Sequence, residues 1–409
     1  MKILVVTQYF WPENFRINDL TAGLVEKGHA VTVLTGIPNY PGGEFFPGYG
    51  MSKNMRQEYQ GAKIIRVPLI PRGNSGKLRL VFNYFSFVFF ASILAPFVCR
   101  EKYDLIFVCQ LSPVTVVLPA ILLKKLKAVP IILWVQDLWP ESLSATGAVN
   151  SPFLLKLVEK LVHFIYHKCD LILVQSKAFI PLIRKFGVKA NRISYLPNNT
   201  EIFYRPVEVE KDAPERKKIP QGFIVMFAGN IGAAQDFSTI ISAAEKLNNY
   251  PDIYWVILGD GRRRQWAQDE VAARNLEDQF IFLGRHPPEQ MPRYFALADV
   301  LLVTLSNEEI FKLTVPAKVQ SYLACAKPII ASLAGEGARI IEEAGAGFSC
   351  RPEYPESLAQ LVLKVYSMLD SERCGMGRKG REYFEKNFER YKLLDQLNER
   401  IARLKGAKK

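Results

Sequence analysis

The sequence predicts an α/β protein built as two doubly wound domains, and three observations predict it. Short, continuously apolar runs recur along the chain, residues 3–6 and 131–133 among them. Such runs suit strands buried on both faces of a parallel sheet. Stretches with helical periodicity separate them, the alternation expected of doubly wound sheets. The alternation is broken once, by a charged, proline-bearing segment at 206–222, and then resumes. A length of 409 residues fits two or three domains on a prior of roughly 150 residues each.

In the first half, strands are expected at 2–7, 30–35, 63–67, 104–109, 130–135, 170–175 and 192–196. Helices are expected between them at 18–27, 78–94, 114–127, 152–167 and 178–186. The segment 206–222 reads as a linker or surface loop near the domain junction. Strands follow at 223–228, 253–258, 279–283, 300–304, 328–331 and 347–350. The second half repeats the architecture of the first without repeating its sequence. Two Rossmann-like domains facing each other would seat ligands at the carboxyl ends of both sheets. The amphipathic segment 391–404 is expected to pack back across the junction. The expected domains are 1–200 and 201–388, with 389–409 a returning helix and a fraying basic tail of Lys405, Lys408 and Lys409.

Composition sets the class. Hydrophobic residues make up 49% and charged residues 23%, as in ordinary folded proteins. The 53 basic and 40 acidic residues leave a net charge of +13. That favours an anionic partner without choosing among nucleic acid, anionic lipid and phosphorylated ligands. Six cysteines lack paired spacing and mostly lie among apolar residues, so reduced core thiols are expected. Lys2 is followed by too few apolar residues before Gln8 to form a signal-peptide core, so the cytoplasm is the expected compartment.

Three loops in the second half are placed to hold an anion. The first follows the strand at 223–228, where Gly229, Asn230, Ile231, Gly232, Ala233, Ala234 and Gln235 lead into helical periodicity at Ile240, Ile241, Ala244 and Leu247. A turn with small side chains at a helix start leaves backbone N–H groups free to face an anion. Its plainer reading is a helix start with glycines for close packing. It carries neither a dinucleotide fingerprint nor a P-loop lysine. The second loop, Gly259-Asp260-Gly261-Arg262-Arg263-Arg264, offers arginines that could fork onto phosphate oxygens, or that simply face water. The third contains Pro316, suited to a first helical turn, and then Lys318. A lysine there opposes the helix dipole by roughly 0.3–1 kcal/mol unless an anion sits beside it.

In the first half, Leu133-Trp134-Val135-Gln136-Asp137-Leu138-Trp139-Pro140-Glu141 closes a buried strand and puts Asp137 at its carboxyl end. A capping aspartate is the alternative. Trp134 and Trp139 would either fill the core or stack on a sugar. The glycine- and proline-rich loop 36–50 holds Tyr40, Phe45, Phe46 and Tyr49, and suits a flexible acceptor loop or a local aromatic cluster.

The run 78–94 is nearly all apolar, and as a helix of 17 residues would reach roughly 26 Å, marginal for a bilayer. Arg79, Asn83 and Ser86 form a polar stripe, and Pro96 suggests an ending nearby. Arg66, Arg72, Lys77, Arg100 and Lys102 flank it. Region 66–102 therefore suits either an interfacial helix on anionic lipid or a buried core helix. Other chemistries find no support. The four histidines lack ligand spacing with cysteines or carboxylates, although His163 and His167 are four apart. Asp-x-Asp and Gly-x-Ser-x-Gly do not occur, so no metal is expected on a sugar diphosphate and no nucleophile elbow is present.

At these residues the chain resembles the GT-B glycosyltransferases of family 4, in the bacterial branch that assembles O-antigen and exopolysaccharide units, with fucosyl- and N-acetylfucosaminyltransferase-type members. The resemblance runs through residues 2–6, 12–20 and 28–41, then Gln136–Glu141, Gly229–Gly232, Gly259–Gly261, Leu283–Arg285 and Pro316–Lys318. It implies metal-independent, retaining transfer from a nucleotide sugar, with the donor on the C-terminal domain and the acceptor on the N-terminal one. Carried over by position, it implies Asp137 and Lys318 as catalytic. Gly229, Asn230, Gly232, Ala233, Ala234, Gln235, Gly259, Gly261, Arg262, Arg285, His286, Thr314, Pro316 and Ser321 would meet the donor. Asn14, Arg16, Tyr40, Trp139 and Glu141 would line the acceptor side. Arg285 and His286 lie where relatives hold the nucleobase.

The chain departs from that pattern. Asn230 and Gln235 stand where many relatives carry an arginine and a lysine aimed at the diphosphate. Leu313 and Ser321 stand where many carry two glutamates, and Gln136 replaces a histidine. No separate cofactor is implied. The expected donor is a UDP-linked deoxy-amino sugar, with GDP second, and the expected acceptor a polyprenyl-diphosphate-linked glycan at the inner membrane. A nucleotide-sugar 2-epimerase of similar fold is the alternative enzyme, but would need more carboxylates or histidines in the cleft. A non-catalytic lipid- or nucleic-acid-binding protein is the alternative class; no nucleic-acid module stands out, and nucleic acid is not an expected partner.

Overall fold

The first strand, β1 (Lys2–Val6), is buried beyond Lys2 and pairs in parallel on both sides, which makes it the centre of a sheet. The computed structural model describes residues 1–73, 76–145, 149 and 151–406. Lys408 and Lys409 of the expected tail lie outside them. Around β1 stand β2 (Ala30–Gly36), β3 (Arg56–Tyr59), β4 (Ala62–Val67), β5 (Leu105–Gln110), β6 (Ile131–Val135), β7 (Leu171–Val174) and β8 (Ile193–Tyr195). Their order is β3-β4-β2-β1-β5-β6-β7-β8, parallel except for the β3–β4 pair.

β3 is the strand absent from the expected set. It is a short polar edge strand, Arg-Gln-Glu-Tyr, and burial alternation alone carries no apolar signal there. Its local cue is the turn at Gln60 and Gly61, both with positive φ, which joins it to β4. In the parallel strands, odd and even positions are both buried, as in Ile3, Leu4, Val5 and Val6. The inner strands of the sheet are therefore covered on both faces.

The apolar helix runs over Lys77–Val98, four residues past the expected end, with Pro96 inside it. It is packed on the sheet, and Phe87, Ala91 and Ala95 are fully buried. Arg66 is not a flanking surface cation. It is buried, donating to the carbonyls of Asn54 and Trp11 at 2.9 and 2.8 Å and to Gln57 Oε1 at 2.8 Å. The last helix, Arg390–Gly406, belongs to this same unit, which comprises Met1–Pro197 and the segment from Tyr391. Leu393, Leu397 and Ile401 join the core beside Ile17, Leu20 and Leu24. A Cβ on Gly23 would lie 2.4 Å from Leu394, so the glycine lets the two helices touch. Lys405 does not fray, because its Nζ reaches Asp104 at 3.0 Å.

The second unit, Asn198–Arg390, has one parallel sheet. Its strands are β9 (Phe223–Ala228), β10 (Ile253–Leu258), β11 (Phe280–Gly284), β12 (Val300–Thr304), β13 (Ile329–Ser332) and β14 (Gly347–Cys350), in the order β11-β10-β9-β12-β13-β14. Of the two readings of segment 206–222, the structure gives the surface loop and not the inter-unit linker. It lies inside this unit, where Arg293 reaches Glu210 at 3.0 Å and Glu215 at 2.8 Å. Four cysteines are buried, Cys350 is half-buried and Cys374 exposed, all as free thiols.

Candidate active site

In the second unit the central strand β9 ends in a glycine because two neighbours crowd it. Gly229 has φ +148°, and a Cβ there would stand 3.0 Å from Lys318 Nζ. Its N–H donates to the Leu258 carbonyl at 2.8 Å. Gly259, with φ +137°, is tighter still, since its Cβ would lie 1.8 Å from the Gly229 carbonyl oxygen. The ends of β9 and β10 are thus in backbone contact, and only glycine fits.

After Gly232 the chain makes a 3₁₀ turn, Ala233–Gln235, before helix Phe237–Glu245. The expected direct passage from glycine turn to α-helix is corrected here. Asp236, at φ +44°, caps that helix, accepting from the Ser238 hydroxyl at 2.7 Å and the Thr239 N–H at 3.4 Å. Its carboxylate occupies the positive end of the helix dipole. An anion at 232–234 would therefore meet turn amides rather than the helix start. The turn itself is anchored from β12: the Thr304 hydroxyl donates to the Gln235 carbonyl at 2.5 Å, and the Ser306 N–H to that of Ala234 at 2.9 Å. Asn230 Nδ2 donates to Gln235 Oε1 at 3.3 Å. The two side chains meet over Gly232 as neutral amides, where the resemblance implies two cations.

Lys318 supplies the positive charge. It sits at the start of helix Ala317–Ala324, whose Tyr322, one turn on, is buried and accepts from the Ala228 N–H at 3.1 Å. That bond fixes the helix to the end of β9. Lys318 Nζ is buried, lies 3.8 Å from the centre of the Phe227 ring and has no hydrogen-bond partner. Burial pulls its pKa down to about 7. An unpartnered buried ammonium is costly unless an anion joins it.

The other donor-side residues spread outward from this centre. Arg262 and Arg285 are exposed. Arg263 stacks on Trp266 at 4.8 Å, and Arg264 pairs with Asp260 at 3.9 Å. His286 Nε2 lies 3.2 Å from the Leu283 carbonyl, and the ring packs on Tyr294. The Thr314 hydroxyl donates to the Phe311 carbonyl at 3.3 Å, and Pro316 caps the Lys318 helix. Ser321 is buried, 3.0 Å from the Thr200 hydroxyl, and faces the interior. Among the described residues no three His, Cys, Asp or Glu side chains come together as metal ligands.

The first unit carries a second polar cluster at the ends of β5 and β6. Trp139 Nε1 lies 3.2 Å from both Asp137 Oδ2 and Ser112 Oγ. Trp134, by contrast, is core, donating to the Leu196 carbonyl at 3.0 Å. Burial raises the Asp137 carboxyl above its usual range, although bonds from Ser142, Trp139, Ser112 and the Leu138 N–H oppose the shift. Glu141 opens the short helix Glu141–Ala145, with Oε2 buried and unpaired, and burial raises its pKa too. Asn14 is exposed and Arg16 half-buried at the start of the first helix. Tyr40 lies under the Arg72 guanidinium at 4.9 Å and 5.7 Å from Tyr9.

Three residues of this cluster escaped sequence reasoning. Tyr84, from the apolar helix, stands beside Ser112 and Tyr9 with Asp137 and Arg72 close by. Glu13 is buried and accepts backbone N–H bonds from Phe10 at 3.2 Å and from Asn39 and Tyr40 at 2.8 Å each. Burial outweighs those bonds and lifts its pKa to about 7. No spacing joins residues 9, 13 and 84. Only the sheet does.

Comparison with known proteins identifies the family and the fold. The family profile "Glycosyl transferase 4-like domain" matches residues 14–199, and "Glycosyl transferases group 1" matches 208–383. A probable glycosyltransferase, WbjE of Pseudomonas aeruginosa, is 30% identical over 65% of this chain and 66% of its own length. The putative colanic acid biosynthesis glycosyl transferase WcaI of Escherichia coli K12 is 25% identical over 79% and 81%. A crystal structure of Anabaena Alr3699/HepE in complex with UDP and glucose shares the fold, with TM-score 0.70, 15% identity and coverage of 98% and 99%. The chain belongs to the group 1, family 4 glycosyltransferases of GT-B fold.

Proposed function

We propose that the protein is a retaining glycosyltransferase that moves a 6-deoxy amino sugar, such as N-acetyl-L-fucosamine, from a nucleoside-diphosphate donor to a polyprenyl-diphosphate-linked glycan. The reaction belongs to O-antigen or exopolysaccharide synthesis, at the cytoplasmic face of the inner membrane, with region 66–102 towards the bilayer. Polysaccharide assembly is supported by the colanic acid relative. UDP, the nucleotide held by a protein of like fold, is favoured over GDP.

The observation that carries the reading is the buried, unpartnered ammonium of Lys318 beside Gly229. As the sugar–phosphate bond breaks, charge grows on the diphosphate and the sugar carbon becomes oxocarbenium-like. Lys318, the amides of the 232–234 turn and exposed Arg262 would stabilise the leaving group. The acceptor hydroxyl forms the new bond to that carbon, and Asp137 orients it or takes its proton. A carboxylate whose pKa burial raises is a stronger base than an ordinary aspartate, which suits it to that transfer. With both usual basic groups replaced by amides, Lys318 carries more of the load, and Lys318→Ala should lower turnover roughly tenfold or more with the fold intact. The assay is nucleotide release from a panel of donors, with and without lipid-linked acceptor. Release that requires acceptor supports transfer. Interconverted sugar would instead indicate epimerisation, and no turnover with any donor a binding protein.

A further inference from the structure

The exposed apolar surface of the first unit gathers on neighbouring helices. Helix Lys77–Val98 packs beside helix Val117–Lys127, which packs beside helix Pro152–Lys168. On the first helix Val81, Phe85, Phe89, Ile93 and Phe97 are exposed at four-residue spacing, so each neighbours the next in a stripe that winds around the outer side of the helix by about 40° per step. Phe85 and Phe97 are each 64% exposed. Leu126 is exposed on the middle helix, and Phe153, Leu154 and Leu157 on the third. A patch of this kind on a folded unit marks a contact with something apolar.

The inner side of the first helix shows how that contact is made. Asn83 is buried, accepting from Gln8 Nε2 at 2.7 Å and donating to the Ile70 carbonyl at 2.7 Å. A helix tied into the sheet on one side does not leave it to span a bilayer, but it can rest on one. Charge identifies the occupant. The three helices contain eight lysines and arginines and one carboxylate, Glu159. Arg79, Lys125, Lys156, Lys160 and Lys168 are exposed among the apolar side chains. A second copy of the chain would set this positive face against itself. An anionic bilayer offers opposite charge at its surface and hydrocarbon beneath.

We infer that the three helices form one in-plane docking face for a membrane rich in anionic lipid, aromatic rings reaching the acyl boundary and lysines in the headgroup layer. This deepens the lipid-linked acceptor reading and rests on it. Tyr84 joins the Asp137 cluster from the same helix that bears Phe85 and Phe89, so docking and acceptor binding share one element.

Flotation of the full chain with vesicles tests it, and needs neither donor nor acceptor, so its failure is distinct from a failure of glycosyl transfer. The protein should float with phosphatidylglycerol–phosphatidylcholine vesicles at low salt and not with phosphatidylcholine alone. The double variants Phe85→Glu/Phe89→Glu and Phe153→Glu/Leu157→Glu should each reduce the bound fraction at least tenfold, with unchanged circular dichroism and melting. Three results would overturn the inference: no flotation of the unaltered chain, loss confined to the first variant, or a dimer that both variants dissolve while vesicle binding is unaffected.

Discussion

Lys318 holds its ammonium in the interior against the Phe227 ring, and that placement has consequences in two directions. Its pKa of about 7 lies below the roughly 10.4 of an unfolded lysine. Between those values the unfolded chain holds the proton and the folded chain does not. Stability of the unliganded protein should therefore rise with pH through that window and be lowest below it. Lys318→Met should remove that pH dependence and raise the melting temperature, while weakening, but not abolishing, stabilisation by UDP. A diphosphate beside the lysine reverses the shift, so binding takes up a proton. The Kd for UDP should then increase by up to about tenfold per pH unit above pH 7, and be flat in Lys318→Met; titration calorimetry in buffers of different ionisation enthalpy reads both. For Asp137 the sign is that of a carboxyl raised by burial, protonated up to a higher pH than usual. Asp137→Asn should lower kcat by about a hundredfold, within the range of general-base contributions, and remove the acidic limb of the pH–rate profile.

The loops and helices that carry these residues are held by few, identifiable contacts. Glu13 is the fastening of the aromatic loop, since three backbone N–H groups from two segments converge on its carboxylate. Glu13→Ala should cost about 3 kcal/mol, as for a lost group of charge-assisted bonds. It should also raise the KM for acceptor with that for donor unchanged, because all its partners lie in the first unit. The returning helix depends on a different device, the missing side chain of Gly23. Gly23→Val would push Leu394 out of contact, with a loss of about 2 kcal/mol of the kind seen on overpacking. Proteolysis near Arg390 should become faster in that variant, a readout that a purely local defect in the first helix would not move.

Over the whole molecule the chain sorts its chemistry by unit. Lys318 and the glycine loops belong to Asn198–Arg390, while Asp137, Tyr84 and the apolar helices belong to the other unit. Hydrogen exchange should show it. UDP at about 100 times its Kd should stabilise the chain by about 2.7 kcal/mol, with protection concentrated at 229–236, 259–264 and 314–321. Protection centred on 136–141 instead would place the nucleotide in the wrong unit and remove the assignment of Lys318.

The sequence by itself determined the parallel sheets, because strands buried on both faces must be apolar at every position, and such runs are visible without a structure. It also marked Gly229, Gly259, Asp137 and Lys318, each of which stands at a strand or helix end that local pattern can locate. It did not reveal β3, whose polar edge residues carry no burial signal. Nor could it show that an aspartate already caps the helix after the glycine turn, because a left-handed Asp236 and a right-handed one are spelled alike. Arg66 reads as a surface cation until the fold buries it against carbonyls 12 and 55 positions away. Tyr9, Glu13 and Tyr84 became a cluster only when the fold brought the loop after β1 and the apolar helix together. Local periodicity encodes what a residue's own segment needs. Which distant groups share a buried volume is decided by the tertiary packing that desolvates them together.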